Sequence, residues 1–146
     1  MENANFAATP ADVELMLDLK GRNPRLTTLV VAALDPYLTR LRITVCAREW
    51  KLLDAFAALP VRKVHSVGSR RGLRRLERLG DRPLDGVSIH ERLLTPAVVE
   101  RLAKITNVTM TWPVNDPRRA RELLGLGVQG LITDDIATIA PCVEHA

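Results

Sequence analysis

Aromatic side chains are scarce in this 146-residue sequence, which has two tryptophans, one tyrosine and two phenylalanines. Hydrophobic residues nevertheless make up 47% of the chain, so leucine, valine, isoleucine and alanine must form the core. That share, together with 26% charged residues, is typical of a globular domain and excludes a disordered tail. The length suits one domain, and we expect residues 1–146 to form a single one.

Long apolar runs are also absent. No stretch approaches the roughly 20 residues needed to cross a bilayer, so the sequence predicts no transmembrane segment. The first ten residues contain no basic segment followed by an apolar one, so we expect no secretory signal. The two cysteines, Cys46 and Cys142, lack CxxC and Cys/His ligand spacing. This is typical of lone buried thiols in a cytoplasmic protein.

Net charge is modest, at +4, which permits anionic partners without demanding them. The basic residues concentrate in one predicted helix. Its arginines are Arg70, Arg71, Arg74, Arg75 and Arg78. At helical spacing Arg70, Arg74 and Arg78 share one face while leucines occupy another, which we interpret as a solvated amphipathic helix. An anionic lipid surface remains an alternative. No aromatic residue interleaves with the arginines, so we expect no nucleic-acid partner.

Short β-type runs alternate with helical patterns along the whole chain. Strands are predicted at 14–19, 41–46, 61–67, 84–89, 107–114 and 128–133. Helices are predicted at 26–38, 49–59, 70–79, 96–105 and 117–126, with a last helix from 134. Thr95-Pro96 and Asp116-Pro117 each place a capping side chain before a proline at the first helical position.

This alternation gives about six β-α units of an α/β protein, with parallel strands because helix-length connections join them. Two architectures fit the pattern. One is a doubly wound open sheet, and the other is an incomplete (β/α)8 TIM barrel. A complete barrel typically takes ~250 residues, so these 146 cannot form one.

The end of the sequence distinguishes the two architectures. It reads WPVN at 112–115, GVQG at 127–130 and LITD at 131–134. This resembles the closing signature of the glycerophosphodiester phosphodiesterase family, which has Trp-Thr-Val-Asn, then Gly-Val-Asp-Gly and Ile-Ile-Thr-Asp. The sequence LDLK at 17–20 resembles the family's Glu-x-Lys strand ending. The resemblance spans roughly 14–139, with a weak middle.

The resemblance implies a fold and an activity. The fold would be an incomplete TIM barrel of the phospholipase-C-like phosphodiesterase type, so that 1–146 forms a single partial domain. The activity would be metal-dependent hydrolysis of glycerophosphodiesters in lipid metabolism, with Ca²⁺ or Mg²⁺ as the divalent cation. The ligand would be a glycerophosphodiester or another phosphorylated small molecule.

The departures from the family pattern are equally clear. The family's opening motifs, His-Arg-Gly, Glu-x-Asp and His-Asp, do not occur in these residues. The Glu of Glu-x-Lys is Asp18, the Thr of Trp-Thr-Val-Asn is Pro113, and a Ser-Phe pair is Cys46-Ala47. Six units plus two make eight, so we expect an N-terminally truncated barrel with weak or no activity by itself. The alternative is a non-catalytic remnant that binds a phosphorylated ligand or a partner protein.

Barrel sites lie at the carboxyl ends of strands, and the resemblance implies roles for five residues there. Asp18 would be a metal ligand, while Lys20, Trp112, Asn115 and His90 would bind substrate. No residue is assigned as catalytic, because the family's proton-transfer histidines have no counterpart here. His65 and His145 are given no site role. Unpaired edge strands would favour a homo-oligomer or binding of a missing N-terminal partner.

Overall fold

The computed structural model describes residue 10 and residues 12–144. These residues form six strands and five α-helices in alternation. The strands are β1 Glu14–Leu19, β2 Arg42–Ala47, β3 Arg62–Val67, β4 Gly86–His90, β5 Thr109–Trp112 and β6 Gly130–Leu131. The helices are α1 Pro24–Leu34, α2 Arg70–Glu77, α3 Pro96–Ala103, α4 Pro117–Gly125 and α5 Ile136–Glu144.

The strands lie in the order in which they occur along the chain, β1-β2-β3-β4-β5-β6. Pairing is parallel between β1 and β2, between β4 and β5, and between β5 and β6. A doubly wound sheet reverses its strand order at a switch point, whereas a barrel keeps consecutive order. The predicted α/β fold of about six barrel-type units is therefore confirmed. The chain divides into two compact units, the first ending at Val64 and the second beginning at His65.

In the first unit, α1 begins a few residues after β1 ends. Asn23 caps the helix, since its side-chain oxygen accepts a hydrogen bond from the backbone N–H of Arg25 at 3.0 Å, and Pro24 occupies the first turn. The core lies between this helix, β2 and the 3₁₀ segment Trp50–Phe56, and Leu34, Val45 and Phe56 are fully buried in it. Aliphatic side chains thus supply most of the core, as the composition requires.

In the second unit, three helices start with a side-chain cap. Ser69, Thr95 and Asp116 accept hydrogen bonds from backbone N–H groups in the first turns of α2, α3 and α4, respectively. Prolines follow the caps of α3 and α4, so both predicted cap-plus-proline starts are confirmed. The buried core includes Ile89, Val87, Leu102, Val114, Ala120 and Leu123.

Helix limits differ from the sequence prediction in the first unit. The helix predicted at 26–38 is α1 followed by the 3₁₀ turn Asp35–Tyr37, because Pro36 cannot donate the next helical hydrogen bond. The helix predicted at 49–59 is the 3₁₀ segment Trp50–Phe56. Three of its four buried residues, Trp50, Leu53 and Phe56, recur every third position, which aligns them at three residues per turn.

Strand limits differ in the second unit. The strand predicted at 107–114 covers only Thr109–Trp112, because Pro113 has no N–H for the ladder. The strand predicted at 128–133 covers only Gly130–Leu131. Its backbone pairing continues on either side as single bonds, from Gln129 N–H to the Thr109 carbonyl at 3.0 Å and from Ile132 N–H to the Thr111 carbonyl at 2.8 Å.

Two smaller expectations are also tested. Cys46 and Cys142 are buried free thiols, as predicted. Within the described residues, no helix combines the length and apolar character that crossing a bilayer requires.

We expect the core of the first unit to depend on Leu34. Leu34→Ala removes a fully buried side chain and should lower the free energy of unfolding by about 2–5 kcal/mol. Leu29 lies on the same helix but is 68% exposed, so Leu29→Ala should change stability by less than about 0.5 kcal/mol. Urea denaturation followed by circular dichroism measures both. Equal losses in the two variants would contradict the packing described here.

Candidate functional site

In the first unit, Asp18 and Lys20 lie at the carboxyl end of β1. Asp18 is in register with Cys46 of β2, and the side chain of Lys20 forms an ion pair with the carboxylate of Asp18. Both side chains are exposed, at 47% and 77% for Asp18 and Lys20. Gly21 follows with a φ of +83°, a left-handed conformation that glycine adopts without strain, and turns the chain towards α1. The structure therefore brings together one anion and one cation at this strand end.

The implied divalent cation can be tested against these side chains. Ca²⁺ takes about 6–8 oxygen ligands, and Asp18 supplies at most two. Among the described residues, no three His, Cys, Asp or Glu side chains are grouped so as to hold a metal ion. The described residues alone thus do not form a cation site, and we derive no reaction step through a metal.

In the second unit, register brings His90 and Trp112 side by side. These residues end β4 and β5 and are directly paired. Their ring centroids lie 4.8 Å apart, with the ring planes tilted by 60°, a favourable aromatic geometry. The Nδ1 atom of His90 accepts a hydrogen bond from the backbone N–H of Arg92 at 3.3 Å, so the neutral ring carries its proton on Nε2. Both side chains are partly exposed, and we call this pair of rings the His90–Trp112 wall.

Asn115 connects the ends of the last two strands. Its Oδ1 atom accepts hydrogen bonds from the Thr133 hydroxyl at 2.8 Å and from the backbone N–H of Asp134 at 3.0 Å. Its Nδ2 atom donates to the Asp134 carboxylate at 3.3 Å. An amide can make this set of bonds because it carries both a donor and an acceptor. The Asn and Thr-Asp residues of the closing motif are therefore one hydrogen-bonded cluster.

The cluster continues into the start of α5. Asp135 accepts hydrogen bonds from the backbone N–H of Thr138 at 3.1 Å and from its hydroxyl at 2.6 Å. These two bonds lower the pKa of the Asp135 carboxyl below its ordinary value, the hydroxyl contributing more. Asp135 N–H in turn donates to the Thr133 hydroxyl at 2.9 Å. The carboxylate is thus occupied as a helix cap and holds the loop that carries Thr133 and Asp134.

Sequence reasoning missed an ion pair beside the His90–Trp112 wall. The guanidinium of Arg119 in α4 donates to the Glu91 carboxylate at 2.9 Å and to the Glu91 carbonyl at 3.2 Å. Glu91 directly follows His90, so this pair fixes the turn that leaves β4. Glu91 and Arg119 are 28 positions apart, and no local pattern in the sequence links them.

The predicted site residues therefore fall into two groups. Asp18 and Lys20 are paired in the first unit, while His90, Trp112 and Asn115 lie at strand ends of the second unit. His65 lies within β3, as predicted, and His145 lies outside the described residues.

Solved structures with this fold are known. No protein-family model matches the chain, and no curated protein matches it. A protein of Silicibacter pomeroyi assigned as a glycerophosphoryl diester phosphodiesterase matches 90% of this chain with a TM-score of 0.74 and 18% identity. An Oleispira antarctica phosphodiesterase in complex with the product sn-glycerol-3-phosphate matches 90% of this chain with a TM-score of 0.74 and 19% identity. A glycerophosphodiester phosphodiesterase from Thermotoga maritima matches 90% with a TM-score of 0.64 and 19% identity.

The fold is that of the glycerophosphodiester phosphodiesterases. The matched regions make up 50%, 55% and 58% of those three chains, so this chain spans about half the length of the solved structures it matches. The fold that the closing motif implied is thereby confirmed, while the activity of a whole phosphodiesterase does not follow from a likeness over half its length.

We expect Asn115→Asp to destabilise the second unit in a pH-dependent way. The substitution replaces the donor that faces Asp134 with a second carboxylate, so it removes a hydrogen bond and adds repulsion. The loss should be about 1–2 kcal/mol at pH 7. The two carboxylates raise each other's pKa in the folded state, so the penalty should shrink as the pH falls through about 4.

Asn115→Ala is the uncharged comparison, since it removes the bond to the Asp134 carboxylate and also the bonds that Oδ1 accepts, without adding charge. Its loss should be about 1 kcal/mol at both pH values. Urea denaturation at pH 7 and pH 3.5 measures all three proteins. An Asn115→Asp variant as stable as wild type at pH 7 would show that the Asn115 cluster does not hold the strand ends.

Proposed function

We propose that the chain belongs to the glycerophosphodiester phosphodiesterase family and contributes a ligand site for the metal-dependent hydrolysis of glycerophosphodiesters in lipid metabolism. The observation that carries the proposal is the Asn115 cluster beside the His90–Trp112 wall, at the strand ends of a fold shared with these phosphodiesterases. Barrel enzymes build their sites at this end of the strands. Free, buried thiols at Cys46 and Cys142 support a cytoplasmic location.

Each candidate residue has a role that its chemistry supports. The ammonium of Lys20 meets a phosphate as a point charge. The Trp112 ring, with His90 against it, offers an apolar wall to the glycerol or alcohol group. Asn115 holds this end of β5 to the Thr133–Asp134 loop and offers amide atoms to a ligand hydroxyl. One matching phosphodiesterase was solved with sn-glycerol-3-phosphate, which supports a phosphorylated small molecule as the ligand here.

Asp18 is our candidate oxygen ligand for Ca²⁺ or Mg²⁺. Its present partner is the Lys20 ammonium, so a cation would compete with an existing charge pair. Because Asp18 is the single candidate carboxylate, we propose that the 146 residues alone bind a divalent cation weakly.

We predict that the 146-residue chain binds sn-glycerol-3-phosphate but hydrolyses glycerophosphocholine weakly or not at all. No His-Arg-Gly, Glu-x-Asp or His-Asp motif occurs in it, and losing proton transfer alone typically costs 10²–10⁴-fold in rate. Isothermal titration with sn-glycerol-3-phosphate and steady-state hydrolysis with added Ca²⁺ or Mg²⁺ are the measurements. Robust turnover that Asp18→Ala abolishes would overturn the prediction of weak activity.

Two variants that each remove one positive charge test whether Lys20 binds the ligand. Lys20→Gln should weaken sn-glycerol-3-phosphate binding about tenfold, because a charge-assisted hydrogen bond is lost. Lys51→Gln removes the same charge from another exposed lysine and should leave the affinity unchanged. If Asp18 is a cation ligand, added Ca²⁺ should strengthen binding in wild type and not in Asp18→Asn. Equal effects of Lys20→Gln and Lys51→Gln would show that Lys20 does not bind the phosphate.

The second candidate function is non-catalytic binding of a phosphorylated ligand or of a partner protein. The Lys20–Asp18 ion pair favours it, because a carboxylate that is already paired with an ammonium is less available to a metal ion. Ligand binding that is unchanged by Ca²⁺, combined with no hydrolysis, would favour this function over the first.

We also propose that the 146-residue chain associates through its outer strands. In the strand order, β1 and β6 each have one neighbour, which leaves the other side of each strand without a described ladder partner. Such edges pair readily with another strand. Size-exclusion chromatography with light scattering should show a homo-oligomer, or binding of a separate fragment that supplies further strands. A stable monomer at about 100 μM would contradict association through the edges of β1 and β6.

A further inference from the structure

Helix α2 concentrates positive charge on one side of the second unit. Four arginines lie in the helix and a fifth forms its C-cap, and all five are exposed. We call the surface formed by these five residues the arginine arc: Arg70, Arg71, Arg74, Arg75 and Arg78. At about 100° per residue they cover roughly 140° of the helix circumference. The arc therefore presents one continuous basic face to solvent.

The charge of this arc is largely uncompensated. The side chains of Arg70, Arg71, Arg74 and Arg78 make no ion pair with any described residue. By contrast, Arg101 of α3 and Lys104 at its C-cap form ion pairs, with Asp81 and Glu100 respectively. Uncompensated charge on one face marks a surface that an anionic partner can neutralise.

The position of the arginines in α2 adds to this imbalance. The first turn of α2 contains no acidic residue, so Arg70 and Arg71 face the positive end of the helix dipole. Arg74 lies four residues from both Arg70 and Arg78, a spacing at which like charges repel. These two interactions oppose helix formation, whereas Arg74 and Arg75 in the last turn favour it through the dipole. An anionic partner would relieve the repulsion among the arginines.

An apolar groove runs beside the arc. It has a volume of about 160 Å³ and lies between α2 and α3. Its lining includes Leu73, Leu76 and Glu77 of α2 and Val98 and Leu102 of α3. Leu73 and Glu77 follow Arg70 and Arg74 by three positions and are therefore their neighbours on the helix surface. The groove thus borders the basic face, so apolar and cationic surface lie side by side.

We propose that the arginine arc and the adjoining groove dock on an anionic phospholipid surface. Guanidinium groups match phosphate oxygens in bidentate geometry, and the groove offers apolar surface to the acyl region beside the headgroup. Charge complementarity favours this partner, and the lack of aromatic residues among the arginines disfavours single-stranded nucleic acid, which needs stacking platforms. The proposal does not depend on the phosphodiesterase function.

The test compares two variants of equal net charge. Arg70→Gln/Arg74→Gln removes two charges from the arc. Arg25→Gln/Lys51→Gln removes two charges from exposed residues of the first unit. Binding to vesicles of phosphatidylcholine with 30% phosphatidylglycerol, and to vesicles of phosphatidylcholine alone, is measured by co-sedimentation at 25, 150 and 500 mM salt. Thermal melts establish that both variants fold as wild type does.

Wild type should bind the anionic vesicles and not the neutral ones, with an affinity that falls as salt rises. The arc variant should bind about 30-fold more weakly, at about 1 kcal/mol for each arginine near a charged surface. The control should stay within about threefold of wild type. A third variant, Val98→Asp, places a negative charge in the groove. It should weaken binding to anionic vesicles by more than its change in net charge alone would.

Several results would overturn the proposal. Absence of wild-type binding to anionic vesicles at 25 mM salt would do so. Equal losses in the arc variant and its control would show that net charge acts without a defined surface. A single-stranded RNA that binds more tightly than the vesicles, and loses affinity in the arc variant, would identify the arc as a nucleic-acid surface instead.

Discussion

Parallel pairing in register is the constraint on which the candidate site depends. A parallel ladder sends every strand in the same direction, so the residues that end neighbouring strands must meet at one edge. His90 and Trp112 stack because the β4–β5 register pairs these two residues directly. Asn115 reaches the Thr133–Asp134 loop because β5 and β6 end side by side.

The ends of the strands are held by side chains as well as by backbone bonds such as that from Val114 N–H to the Ile132 carbonyl at 2.9 Å. The Asn115 amide supplies a donor and an acceptor where the backbone ladder has stopped. The Asp135 cap fixes the same loop from its other end, through Thr138. Arg119 does the equivalent for the turn after β4 by binding both the side chain and the carbonyl of Glu91. A rigid scaffold with locked connecting loops is what a ligand site on a barrel requires.

Much of this architecture could be predicted from local sequence pattern. Caps such as Thr95 and Asp116 act within one helical turn, so the sequence predicts them directly. The strand limits were less accurate, because they depend on which neighbour completes the ladder. The 3₁₀ form of Trp50–Phe56 was also missed, since the period of three and the period of 3.6 differ little over seven residues.

The site was predictable only in part, for a related reason. A motif places Trp112 and Asn115 at strand ends, but the partners of these residues come from elements far along the chain. The Glu91–Arg119 pair joins two elements that share no sequence signal. A cation at Asp18 would need further ligands, and the described residues place none around this carboxylate. Neither the motif nor the local geometry therefore assigns a cation to Asp18. Sequence reasoning thus identified side chains of the site but not the contacts that orient them.

The 3₁₀ segment Trp50–Phe56 also determines which changes in length the first unit can accept. Trp50, Leu53 and Phe56 are buried at intervals of three residues, with Leu52 buried beside Leu53, so the burial of each depends on the number of residues between them. Inserting or deleting one residue would rotate everything beyond that point by about 120°. Phe56 would then leave the core, and the much smaller Ala55 or Ala57 would take its place. Evolution can therefore exchange one apolar residue for another in this segment more easily than it can alter the number of residues.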